Sequence, residues 1–173
     1  MSGDPHRRMI MGSLGVHFAI DEDMAARLLT AEDDEVVMAL IEEVEEETAG
    51  VDHCDTDKAW DAIHRSLTDG LLGYDNGDYP LNAVILGGRQ LYEGEEYIVS
   101  LLTPEQVCDA ANVLTVVSRE RLRAGYEAID VADYGPEFGD EDFEYTWENF
   151  TGVIAFFERA AQSGRHVVFT VDQ

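Results

Sequence analysis

Asp55-Thr-Asp-Lys-Ala-Trp60-Asp-Ala-Ile-His64, followed by a turn-rich loop and then Pro80-Leu-Asn-Ala-Val-Ile-Leu-Gly-Gly88, decides how this chain is read. The first part predicts a capped amphipathic helix from about Asp57 to Thr68-Asp-Gly70, with Thr56 or Asp55 as its cap. Trp60, Ile63, His64 and Leu67 share one side of it, so the indole and the imidazole turn toward the interior. Gly73-Tyr-Asp-Asn-Gly-Asp-Tyr-Pro80 reads as loop. Pro80 to Leu86 has two readings. Pro at a first helical position with Gly87 beyond the end predicts a short helix, whereas Val84-Ile85-Leu86 predicts a buried strand.

Upstream, Gly15-Val-His-Phe-Ala-Ile20 predicts a strand, ended by Asp21, which caps a short helix through Leu29 with Met24, Leu28 and Leu29 inward. A second helix is expected from about Asp33 to Glu47. Val36, Val37, Leu40, Ile41 and Val44 form its inner stripe, and five glutamates from Glu42 to Glu47 lie mostly outside it. Downstream, Glu96-Tyr-Ile-Val-Ser-Leu-Leu102 predicts a strand. Thr103-Pro-Glu-Gln106 has the form of a capping box, opening a helix with Val107, Cys108, Ala111, Leu114 and Val117 inward. Ser118 recaps a continuation through Leu122 and Tyr126. A long helix from about Asp140 to Gln162 carries Phe143, Trp147, Phe150, Ile154, Phe157 and Ala161 at helical spacing, and His166-Val-Val-Phe-Thr-Val171 is the last strand. The pattern predicts one α+β domain over residues 11–173, a small sheet of three to four short strands covered by five or six helices. The two terminal strands are expected to pair in the sheet centre, and residues 1–10 to form a flexible extension.

With 173 residues and 45% hydrophobic content, the chain is long and apolar enough to bury a core despite a net charge of −26. No apolar run approaches the roughly 20 residues needed to cross a bilayer, and no signal segment is read, so a cytoplasmic location is expected with no membrane partner. Thirty-seven acidic residues face ten arginines and the single Lys58. A surface this negative repels phosphate backbones, which argues against nucleic-acid binding. Three readings of the acidity compete: solubility, adaptation to high salt, and attraction of a basic protein.

The chain resembles the YfbM-like family, a bacterial family built on a domain of unknown function. Met11-Gly-Ser-Leu-Gly-Val-His-Phe-Ala-Ile20 is similar to its opening strand, and Asp57-Lys-Ala-Trp60 with Ile63-His64 to its most recognisable helix. Pro80 to Gly88, Leu102-Thr-Pro-Glu-Gln-Val107, the aromatic helix and the final strand complete the match. The resemblance implies an α+β fold and a small soluble bacterial protein, and implies no reaction, cofactor or catalytic residue.

For function, two classes remain open. One is an acidic, non-enzymatic binding protein, inhibitor-like or immunity-like, that engages a basic protein partner. The other is a small-molecule site or enzyme in a groove around Trp60, His64, Tyr79, Asn82 and Gly87–Gly88, with Tyr74, Tyr92 and Tyr97 as further lining. His64 is the acid–base candidate there, weighed against a buried, hydrogen-bonded histidine packed on Trp60. Asn82 is either a polar handle or a satisfier of loop backbone. His53, Cys54, Asp55, Asp57 and His64 lack the paired spacing of a zinc set, so no metal and no cofactor is assigned. Cys54 in an acidic loop is expected to have a raised pKa and low reactivity.

Overall fold

Strand β1 (Gly15–Ile20) sends its side chains alternately into two separate cores, and that alternation sets the architecture. Phe18 and Ile20 join a cluster beneath helices α1 (Glu22–Leu29) and α2 (Asp34–Glu46). Ala19 joins the larger cluster on the opposite face, where His17 also sits. A strand sandwiched in this way must be apolar on both sides, which is why Gly15 to Ile20 is such a compact apolar run. The structure is a computed structural model that describes residues 13–47 and 52–172. The extension expected at residues 1–10 lies outside the described residues.

Strands β2 (His53–Asp57), β3 (Arg89–Gln90), β4 (Tyr97–Leu102) and β5 (His166–Asp172) complete an open five-stranded sheet, ordered β2-β1-β5-β4-β3 and antiparallel throughout. Gly15 stands opposite Val171, so the two terminal strands pair as expected, with β5 at the centre. One layer of helices, α1 and α2, covers the first face. Helices α3 (Trp60–Leu67), α4 (Pro104–Leu114), α5 (Arg119–Glu127), α6 (Val131–Tyr134) and α7 (Asp140–Gln162) belong to the other. Among the described residues there are therefore five strands and seven α-helices, against three to four and five or six expected. None of these helices is long and apolar enough to cross a membrane.

The two additional strands are edges. His-Cys-Asp-Thr-Asp buries only Thr56, whose hydroxyl donates to the Gly15 carbonyl at 2.7 Å, and β3 is two exposed residues. Neither carries the apolar alternation that announces a strand. The start of α3 is also corrected. Asp57 takes a φ of 48° and Asp55 accepts from its backbone N–H at 2.7 Å, so a tight turn delays the helix to Trp60 with no side-chain cap. Pro80 to Leu86 is neither a full helix nor a strand: a single 3₁₀ turn (Leu81–Ala83) leads into a buried irregular segment.

Small errors of facing have a common cause, a stripe drawn one residue wide of the true one. Leu29 and Val36 are 39% and 40% exposed, and Cys108 is exposed while Ala110 is buried. In α7 the seam runs through Phe143, Phe150, Val153, Phe156, Phe157 and Ala160, with Trp147 and Ile154 flanking it. The capping box is found as read: Thr103 Oγ1 accepts from Gln106 N–H at 3.2 Å, and Gln106 Oε1 accepts from Thr103 N–H at 2.9 Å.

Candidate functional site

Every residue of α3 is buried, including Asp61, His64, Arg65 and Ser66. A helix packed on all sides must partner its own polar groups, since burying them bare costs several kcal/mol. Trp60 is 2% exposed; its Nε1 donates to the Ser13 carbonyl at 3.2 Å and its ring lies 6.1 Å from that of Phe169. His64 is 1% exposed and its Nε2 donates to Asn76 Oδ1 at 3.0 Å. Burial pushes this imidazole below its ordinary pKa, with Asn76 and then the Gly73 backbone pulling the other way. Its Nδ1 makes no well-formed hydrogen bond.

Asn76, which sequence reading passed over inside the loop, is what holds His64. Besides accepting from the imidazole, its Nδ2 donates to Thr68 Oγ1 at 3.1 Å, Asp69 Oδ1 at 2.6 Å and the Leu71 carbonyl at 2.8 Å. One amide thus gathers the end of α3 and the following loop. Asn76→Ala is expected to cost about 1–3 kcal/mol, because it strips four polar groups of a partner at once. Urea melts measure it, and an unchanged midpoint would remove Asn76 from this role.

The other predicted groove residues do not gather around one opening. Tyr79 is 53% exposed and donates to Asp109 Oδ2 at 2.6 Å, which pushes its phenol up to about 12. Asn82 reaches the Gly77 carbonyl at 3.4 Å, a loop-backbone contact. Gly87 is buried so tightly that a Cβ would run into Ala83, and Gly88, with φ of 80°, turns against the Leu101 carbonyl. Tyr92 and Tyr97 meet edge to face, 5.5 Å apart, on the α1–α2 side of the sheet, and Tyr74 stands exposed in the loop. The space behind Gly87 is a void lined by His17 and Ser100, too narrow for water.

His17 is the second buried histidine and was not singled out from sequence; a polar residue in the middle of an apolar strand was the available signal. It is fully buried against Phe156, Phe157 and Phe169, and its Nε2 donates to the Val84 carbonyl at 2.8 Å. Burial lowers its pKa from 6.5 to about 4, with the Val84 bond acting in the opposite direction. The unfolded histidine takes up a proton as pH falls through 6.5, but the folded one does not until about pH 4. Stability is therefore lost across that window, by about 1.4 kcal/mol per pH unit and roughly 3 kcal/mol in all. Asp61, whose pKa burial raises, works the other way, so the clean comparison is with His17→Gln. Unfolding free energies at pH 7, 5.5 and 4 are expected to show a shallower slope for that variant; identical slopes would refute the assignment.

A second buried network joins the helices of this layer. Arg65 binds Asp61 Oδ1 at 2.5 Å and Asp133 Oδ2 at 2.8 Å, and its guanidinium lies 5.5 Å from the centre of the Tyr134 ring. Tyr134 and Tyr126 both donate to Asp142 Oδ2, each at 2.6 Å, and both phenols are pushed up, first by burial and then by that bond. These groups tie α3, α5, α6 and α7 together. The Asp61–Arg65 spacing of four was visible in the sequence, but its burial was not.

Cys54 lies on β2 rather than in a loop. Its thiol is pushed up to about 11, chiefly by burial, with Arg159 lowering and Asp55 and Asp52 raising it. Among the described residues no three His, Cys, Asp or Glu side chains gather as metal ligands.

The model of a domain of unknown function, DUF1877, matches residues 11–170. None of the curated proteins matches. Among solved structures, YfbM from Escherichia coli, a protein of unknown function, has a TM-score of 0.65 over 91% of this chain and 99% of its own, at 19% identity. That likeness concerns the fold; the opening strand and the Trp60 helix lie within residues 11–170, and the final strand begins within them. The chain belongs to the DUF1877 family, the YfbM-like family that its motifs resemble.

Proposed function

We propose that this is an acidic, non-enzymatic binding protein of the bacterial cytoplasm whose α1–α2 layer docks on a basic protein, in the manner of an inhibitor or immunity protein. The observation that carries the reading is where the charge lies. Residues 21–47 hold twelve acidic side chains against Arg27 alone, over two fifths of the chain's net charge in under a sixth of its length. Arg27 is itself held by Glu43, and Arg65, Arg119, Arg123 and Arg159 are likewise engaged by carboxylates within the chain. Five of the eleven cations are thus spent on internal carboxylates, and Glu35, Glu42, Glu45 and Glu46 stand exposed on α2. Its last turn holds no basic residue, although cations are what a helix C-terminus favours by a few tenths of a kcal/mol each. Solubility alone is served by charge spread evenly; a concentrated field steers a complementary partner.

The test is capture on the full chain from its own cells at low salt, compared with the Glu42→Gln/Glu45→Gln/Glu46→Gln variant, followed by calorimetry on the purified partner. A basic protein bound by the wild type, released by salt and weakened roughly tenfold by the variant is expected. A partner indifferent to those glutamates, or none at low salt, would sink the reading.

A further inference from the structure

The cleft at one end of the sheet, where β1 leaves between the two helical layers, points to a ligand of its own. It encloses about 490 Å³, within the usual range for small-molecule sites, and lies apart from Trp60 and His64. Ile20, Met24 and Val44 give it an apolar floor, and charges of both signs surround that floor. Arg27 of α1 grips Glu43 of α2 through two contacts, at 2.5 and 3.1 Å, and Arg159 of α7 grips Asp52 through two, at 2.9 and 3.0 Å. Arg165, just past α7, lines the same cleft and makes no ion pair among the described residues. Three of the chain's ten arginines, one from α1 and two at the C-terminal end of α7, thus converge on one opening in a molecule that is otherwise overwhelmingly acidic.

We propose that this cleft binds a small zwitterion of the amino-acid or dipeptide class. A simple anion is repelled by a net charge of −26, and a simple cation leaves Arg165, the guanidinium of the cleft that has no ion pair among the described residues, unmatched. A molecule with a carboxylate and an ammonium on one short aliphatic frame satisfies both sets. The Arg165 fork matches a carboxylate, Asp23 and Glu47 receive the ammonium, and the aliphatic part lies on Ile20, Met24 and Val44. The Arg27–Glu43 and Arg159–Asp52 pairs are about half exposed, where solvent screening leaves such pairs contributing little. They hold the rim in place and share a proton donor or a carboxylate oxygen with a ligand at little cost. This inference stands whether or not α2 docks a basic partner, since it rests on the cleft and not on the outer face of α2.

Calorimetry on the full chain with L-lysine, L-glutamate, L-leucine and glycylglycine tests it, with inorganic phosphate and putrescine as single-sign controls. At least one zwitterion is expected to bind with a Kd below about 1 mM. Arg165→Ala is expected to weaken it by roughly tenfold, Arg165→Lys to restore part of the loss, and Arg121→Ala, outside the cleft, to change nothing. Thermal melts check that each variant is folded. No binding by any of the four, binding indifferent to Arg165→Ala, or equal binding of phosphate or putrescine would overturn the proposal.

Discussion

Trp60→Ala is expected to lower stability by about 3–5 kcal/mol, the usual cost of removing a buried indole with its packing. The ring sits where α3 crosses β1, so close that a Cβ on Gly15 would strike its Cδ1. Phe169 of the central strand packs on it, and Ser13 accepts its N–H. Truncation would open a cavity between helix and sheet that these rigid neighbours cannot close, and leave the Ser13 carbonyl bare. For a domain whose whole stability is of order 5–15 kcal/mol, that is a large share. His64→Gln, by contrast, is expected to cost roughly 1–3 kcal/mol, as the loss of one buried hydrogen bond. Thermal melts of the two variants should separate clearly. A melting temperature unchanged by Trp60→Ala would mean that the indole does not support the core.

Arg65→Ala should be as damaging for a different reason. The Arg65 side chain is 3% exposed and Asp61 8%, so removing the guanidinium strands a carboxylate in the interior, at about 3–5 kcal/mol. The distinguishing measurement is rescue. Arg65→Met/Asp61→Leu removes both buried charges and is expected to recover most of the loss, because a buried pair against an apolar pair is close to neutral. If the double variant melts no higher than Arg65→Ala, the damage comes from lost packing over Tyr134 and the charge argument fails.

What the sequence made legible follows from how strongly each element depends on local pattern. The capping box at Thr103–Gln106 is a contact among four consecutive residues, so it could be read outright. The aromatic seam of α7 repeats over many turns, and a long period survives an error of one residue. The inward turn of Trp60 and His64 followed from their spacing of four. The edge strand β2 was not legible, because its pairing depends on β1 and its own residues are almost all polar. The start of α3 was misplaced because the turn at Asp57 overrode a good cap signal. Asn76 and His17 act through partners remote in sequence, Asn76 on His64 and His17 on Val84, and no local spacing announces such bonds. The groove dispersed for the same reason: its residues were grouped by proximity along the chain, while the fold put Trp60 and Gly87 inside and Tyr79 outside.

The central position of β5 has a consequence for how the protein is made. β1 and β4 each hydrogen-bond to β5, which lies between them, so Gly15 waits for Val171 and Tyr97 for Asp172. A nascent chain emerging from the ribosome therefore carries β1, α1, α2 and β4 with no partner for the inner edges of the sheet. Phe18, Ile20 and Val99 remain without the strand that joins them. Closing so long a loop is slow relative to local pairing, and the waiting intermediate is the species at risk of sticking to its own kind. The dense negative charge of residues 21–47 is already synthesised by then, so the same field that would steer a basic partner also makes unfinished copies repel one another.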